Sequence, residues 1–179
     1  MTSRTPILAA VLVALSTLLD APARADDIAG TTPLFPNRPG WFGLGLNIGN
    51  VETGVTAKLW ASSRTALQAA LGDGPAGNAV RLNLDLTFSP YEWRASGDRY
   101  ALPFYVGLGG VLGHSFAAGE RPASTEAGFR LPLGMSILVP DNPVELFFEI
   151  APEFTVRDSS TLGRYIFYTD GAIGARYYL

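Results

Sequence analysis

From Ala79 to Ser89 the chain alternates: Val80, Leu82, Leu84, Leu86 and Phe88 are interleaved with Arg81, Asn83, Asp85, Thr87 and Ser89. Side chains of a strand point to opposite faces with a period of two, so this segment predicts a strand with one greasy and one polar face. Trp41–Ile48 sets Phe42, Leu44, Leu46 and Ile48 against Gly43, Gly45 and Asn47, and the Gly49-Asn50 pair after it predicts a tight hairpin. Val51–Ala61 places Val51, Val55, Ala57 and Leu59 opposite Glu52, Gly54, Thr56, Lys58 and Trp60. Tyr100–Leu112 opposes Leu102, Phe104, Val106 and Leu108 to Tyr105, Gly107 and Gly109.

Thr125–Leu138 and Val144–Val156 continue the pattern around the Pro140-Asp141-Asn142-Pro143 turn. In the first, Ala127, Phe129, Leu131, Leu133, Met135 and Ile137 oppose Glu126, Gly128, Arg130, Gly134 and Ser136. In the second, Val144, Leu146, Phe148, Ile150 and Phe154 oppose Glu145, Glu149 and Glu153. Tyr165–Leu179 is the last strand. Arg64–Leu71 alternates too, although Ser62 or Ser63 would equally cap a short helix there. A single-chain outer-membrane sheet has an even number of strands, which favours strand and gives eight. Gly72–Asn78, Pro90–Arg99, Gly113–Ser124 and Arg157–Arg164 are expected as connections, Gly113–Ser124 the longest. Pro132 and Pro152 fall within strands and each removes a ladder donor, so bulges are expected there.

The segments before residue 41 do not alternate. Arg4, the apolar run Ile7–Leu19 and the small-x-small site Ala23-Arg24-Ala25 predict a signal peptide over residues 1–25, for export by the Sec pathway. The 13-residue apolar run is shorter than the ~20 residues a spanning helix needs. Residues 26–40, with three prolines, are expected as a linker, leaving 41–179 as one domain. With no cysteine in the chain there is no disulfide framework. The leader takes two of the 13 basic and one of the 16 acidic residues, so 11 face 15 in the remainder. That acidic balance argues against nucleic acid as a partner.

With grease facing hydrocarbon and charge facing inward, the eight strands predict an all-β, antiparallel, up-and-down transmembrane β-barrel. Aromatic positions fit. Trp41, Trp60, Tyr91, Trp93, Tyr100, Tyr177 and Tyr178 are expected at the periplasmic rim, and Phe116, Tyr165, Phe167 and Tyr168 at the other. The end of the chain supplies Gly174, Tyr177 and Leu179 at the spacing of a barrel-assembly signal. On these residues the chain resembles the small eight-stranded outer-membrane barrels of the OmpA/OmpX type. It departs at Ala172, where a polar residue is preferred, and at Leu179, where phenylalanine is usual. The resemblance implies a Gram-negative outer-membrane location, lipid as surroundings, and barrel-assembly machinery and periplasmic chaperones as partners in biogenesis. A monomer is expected.

An eight-stranded interior is just wide enough for side chains to fill it. The inward set includes Lys58, Arg81, Arg130 and Arg176 against Glu52, Asp85, Glu126, Glu145, Glu149, Glu153 and Asp170. Buried charges must pair, so an Arg/carboxylate network is expected to plug the lumen rather than leave a porin-like pore. Glu145, Glu149 and Glu153 recur every fourth residue, about 13 Å apart along a strand, too far to share one metal ion. No metal site or cofactor is expected. His114 and Ser115 in the longest expected loop, near Glu120, are the one arrangement that invites a nucleophile-and-base reading, as in rim-located lipid hydrolases.

The expected role is therefore structural or surface-interacting, without chemistry of its own. A soluble, lipocalin-like barrel carrying an apolar ligand would invert the two faces, and alternation alone does not distinguish them.

Overall fold

A computed structural model describes residues 40–74, 78–94, 100–117, 119, 122–139, 143–158 and 164–179. The expected signal peptide and nearly all of the expected linker lie outside these residues, as do Glu120 and most of the expected turn at 140–143.

Nine antiparallel strands make up the described fold: β1 Phe42–Gly49, β2 Thr53–Trp60, β3 Thr65–Asp73, β4 Ala79–Arg94, β5 Ala101–Ser115, β6 Ser124–Arg130, β7 Leu133–Val139, β8 Val144–Asp158 and β9 Arg164–Tyr178. No helix occurs among the described residues. β1 to β5 each pair with the next strand in sequence, β6 and β7 both pair with β5 and with β8, β8 pairs with β9 and β9 with β1, so the hydrogen bonds close into a ring.

Nine strands fill eight positions. β6 and β7 both lie between β5 and β8, separated only by Leu131-Pro132. Their registers are continuous: Arg130 faces Gly109 and Glu153, and Leu133 faces Val106 and Ile150, with no residue inserted on either side. The bulges expected at Pro132 and Pro152 are therefore absent. Pro132 interrupts the ladder, yet its carbonyl still accepts from Gly107 N–H at 2.8 Å, and the Pro152 carbonyl accepts from Leu131 N–H at 3.0 Å. Because Pro152 meets β6–β7 at this interruption, its missing donor falls where the ladder is already broken.

The register shift lies instead at Ser89-Pro90, between the pairs Phe88–Val106 and Tyr91–Phe104. β4 thus continues to Arg94 through what alternation marks as a connection. The extra residue changes parity, so Tyr91 and Trp93 face outward beside Phe104 and Leu102. β5 likewise runs on to Ser115, three residues into the expected loop. The first hairpin is looser than predicted: its last pair is Ile48–Thr53, which leaves a four-residue connection.

Stagger sets the interior. Facing residues lead from Tyr178 to Gly43, Lys58, Gln68, Asp85, Gly109, Arg130, Glu153 and then Tyr168, ten positions before the start on the same strand. Such a stagger over eight positions tilts the strands by roughly 40° and leaves a lumen that side chains can fill. Every residue on that path faces inward.

Three aromatic expectations need correcting. Trp60 and Tyr178 are 3% and 2% exposed and point into the ring, where Trp60 Nε1 donates to the Tyr178 hydroxyl at 3.1 Å. Tyr168 also turns inward, to Glu126. Each sits near a rim, but strand parity decides its face. Trp41, Tyr91, Trp93, Tyr100 and Tyr177 remain exposed at one end, with Phe116, Tyr165 and Phe167 at the other.

Candidate functional site in the charged interior

The inward faces of all eight positions converge on one polar column. It is closed at the end where β1 begins by Trp60, Ala66, Ala101, Leu138 and Tyr178, a small apolar cluster. Directly behind it Glu145 collects four donors. Lys58 Nζ lies 2.9 Å from Oε1, Arg176 Nη1 3.2 Å and the Tyr178 hydroxyl 2.6 Å from Oε2, Ser136 Oγ also donates, and Lys58 in turn lies over the Trp60 ring at 4.3 Å. Arg176 also donates to Thr56 Oγ1 and stacks 3.9 Å from the Phe147 ring centroid. Gly174 makes that stack possible, since a Cβ there would enter the Phe147 ring.

The middle layer is built on Arg130. Its guanidinium meets Asp85 at 3.2 Å, Glu149 at 2.9 Å, Glu153 at 3.2 Å and Asp170 at 3.4 Å. The Tyr105 hydroxyl donates to the other Glu149 oxygen at 2.8 Å. Gly134 admits the Tyr105 ring in the same way that Gly174 admits Phe147.

Towards the opposite end Arg81 bridges Glu126, at 2.5 Å, and Glu153. Glu126 also accepts from Tyr168 at 2.8 Å and from Arg157 at 2.6 Å. Beyond this layer the column opens into a cavity of about 320 Å³, lined by Arg81, Glu126, Arg157, Tyr168, Asn50 and Ser115 among others.

All ten residues expected in the charge network, Lys58, Arg81, Asp85, Glu126, Arg130, Glu145, Glu149, Glu153, Asp170 and Arg176, are buried in this column. Glu52 joins them, 3.9 Å from Arg81. The charges must be matched, because removing one partner of a buried pair leaves an uncompensated ion that costs several kcal/mol, roughly. Sequence reasoning missed Phe147 and Arg157, which was placed in a loop. It also missed Tyr168 and Tyr178 as members of the network, and it placed Trp60 on the inward face beside Lys58 without assigning it a partner there. The signal was present: Phe147, Tyr168 and Tyr178 have inward parity within the expected strands, and Arg157 gains it once β8 is extended to Asp158.

Of the expected assembly signal, Gly174 faces inward beneath Phe147, while Tyr177 and Leu179 are 56% and 55% exposed. His114 and Ser115 are neighbours on β5 and so point to opposite faces. His114 is exposed, with Nδ1 3.1 Å from Thr125 Oγ1, and both it and Ser115 border the mouth of the cavity. Among the described residues no group of three or more histidines and carboxylates is arranged to hold a metal ion.

No protein-family model, curated protein or solved structure matches the chain.

Proposed function

We propose that the closed sheet is an eight-position transmembrane β-barrel of the outer membrane, plugged by its charge network and serving a structural or surface-interaction role. The observation that carries this reading is which way the two residue sets face. Leu46, Ile48, Leu84, Leu86, Leu108, Phe129, Leu146, Phe148 and Ile173 are 47–66% exposed on the outside, while the arginines and carboxylates are buried inside. Water would favour the reverse arrangement, and hydrocarbon favours this one.

Closure supports the same reading. Bilayer hydrocarbon offers backbone groups no hydrogen bonds, so only helices and closed sheets are stable across it. Exposed Trp41, Tyr91, Trp93, Tyr100 and Tyr177 at one end suit an interfacial girdle. A lipocalin-like carrier of an apolar ligand would need an aliphatic interior, and a hydrolase built on Ser115 would need His114 on its own face. Neither requirement agrees with the geometry above.

Fractionation tests the proposal. Expressed in a Gram-negative host, the protein should stay with outer membranes through carbonate and salt washes and leave them in detergent. Recovery in the soluble periplasmic fraction would refute it.

A further inference from the structure

The ring closes where the β1–β2 turn meets β9, and two carboxyls lie behind that seam. On the outer side Asn50 N–H donates to the Gly171 carbonyl at 3.0 Å, Asn50 Oδ1 accepts from Gly171 N–H at 2.7 Å, and Asn50 Nδ2 donates to the Thr169 carbonyl at 3.1 Å. Asp170, between those two β9 residues, turns inward, as does Glu52 from the turn; each is 2% exposed. Both line an internal cavity of about 20 Å³, enough for roughly one water.

That cavity is short of donors. Glu52 Oε2, Asp85 Oδ1, Asp170 Oδ1, Asn47 Oδ1 and both polar atoms of Gln68 line it without a hydrogen-bond partner among the described residues. Only the Gln68 nitrogen is a donor. The charged groups facing Glu52 are Arg81 and Asp85 from β4, Arg130 from β6, Glu149 from β8, and Asp170 and Arg176 from β9. The guanidiniums are shared with other carboxylates: Arg130 among four, Asp85 and Asp170 of this cavity included, Arg176 with Glu145, and Arg81 with Glu126 and Glu153. Lys58 of β2 is bound to Glu145, and β3 brings no charge to the cavity, only the amide of Gln68 beside Ala69 and Ala70. Among the described residues Glu52 therefore has no cation within hydrogen-bond distance, since Arg81 Nε stands 3.9 Å away.

We propose that Glu52 and Asp170 form a pH-sensitive latch behind the closing seam. A proton on the Glu52 carboxyl, donated to the free oxygens around the cavity, holds the turn against β9. Its loss leaves two like charges facing each other across the seam. The latch rests on the closed ring alone and is independent of the membrane reading. Burial, reinforced by the negative charge of Asp170, pushes the Glu52 carboxyl from its ordinary 4.5 up to about 7.

The sign follows from proton linkage. With the seam closed, Glu52 keeps a proton that it loses once the seam opens and water reaches it. The seam is therefore tightest in acid, weakens as pH rises from about 4.5 to about 7, and is insensitive above that, where both states are deprotonated.

Hydrogen exchange at the Gly171 and Asn50 amides of the folded full chain, expressed as protection factors to remove intrinsic pH dependence, tests the latch. Wild type should lose protection by up to about tenfold per pH unit across that window and then level off. Glu52→Gln should keep the acid-state protection throughout, and Asp170→Asn should reduce the slope. The infrared absorption of protonated carboxyls at pH ~6 should be weaker in Glu52→Gln than in wild type. Protection that does not vary with pH in wild type, an unchanged slope in Glu52→Gln, or equal absorption in the two proteins would overturn the proposal. If Glu52→Gln fails to fold, the wild-type pH profile of protection and the Asp170→Asn slope still decide it.

Discussion

The side-chain amide of Asn50 takes the place of a peptide group opposite Gly171, extending β1 beyond its own last residue. It accepts from Gly171 N–H and donates to the Thr169 carbonyl, as the backbone of a longer strand would. Asn50→Ala should cost ~1–2 kcal/mol and raise exchange at the Gly171 amide, because two hydrogen bonds at the seam disappear. Asn50→Asp should keep the first bond and lose the second. Equal exchange at Gly171 in all three proteins would show that the amide is not part of the seam.

Glu145 is the counter-charge for both Lys58 and Arg176. Glu145→Gln keeps the shape and removes the charge that both buried cations face at 3.2 Å or less. Denaturant unfolding should show a loss of ~3–5 kcal/mol, part of which Lys58→Met should restore in the double variant. An unchanged midpoint in Glu145→Gln would mean that the two cations find water instead.

Tyr105 fills space that a side chain at position 134 would need. Gly134→Ala should lower stability by ~1–3 kcal/mol through overpacking. Combined with Tyr105→Leu, it should cost less than the sum of the single changes, since the collision goes with the ring. Strict additivity would argue that the two positions do not press on one another.

The apolar cluster of Trp60, Leu138 and Tyr178 closes one end of the column, and ion pairs fill the middle. Planar-bilayer recordings of the wild-type protein should therefore show no sustained conductance. A stable open level would contradict the plugged lumen.

Much of this was legible because parity is a local property. Val80 to Phe88 alternate without interruption, and the ring places those residues outside and Arg81, Asn83 and Asp85 within. Strand ends were harder to read. Pro90 looks like a terminator, yet a one-residue bulge absorbs it and β4 reaches Arg94. Pro132 looks like a bulge, yet the register passes through it unchanged because its missing donor costs the ladder only one bond. Trp60 and Tyr178 suggested a rim by type and position, and parity with Lys58 and with Arg176 turns each of them inward at that rim. Partner choice inside the column, such as Glu145 with Lys58 rather than Arg130, depends on the ten-residue stagger between Tyr178 and Tyr168, which no single segment records.

The central claim is that leucines on the outer face meet hydrocarbon while the polar residues between them do not. Adjacent positions on β4 test it under identical conditions: Leu84 is 51% exposed and Asn83 is fully buried. Measured by reversible folding into lipid bilayers, Leu84→Arg should cost ~2–4 kcal/mol if it lies near the bilayer midplane, and Asn83→Ala far less. Equal tolerance at the two positions, with Leu84→Arg folding as readily in lipid as wild type, would contradict the account.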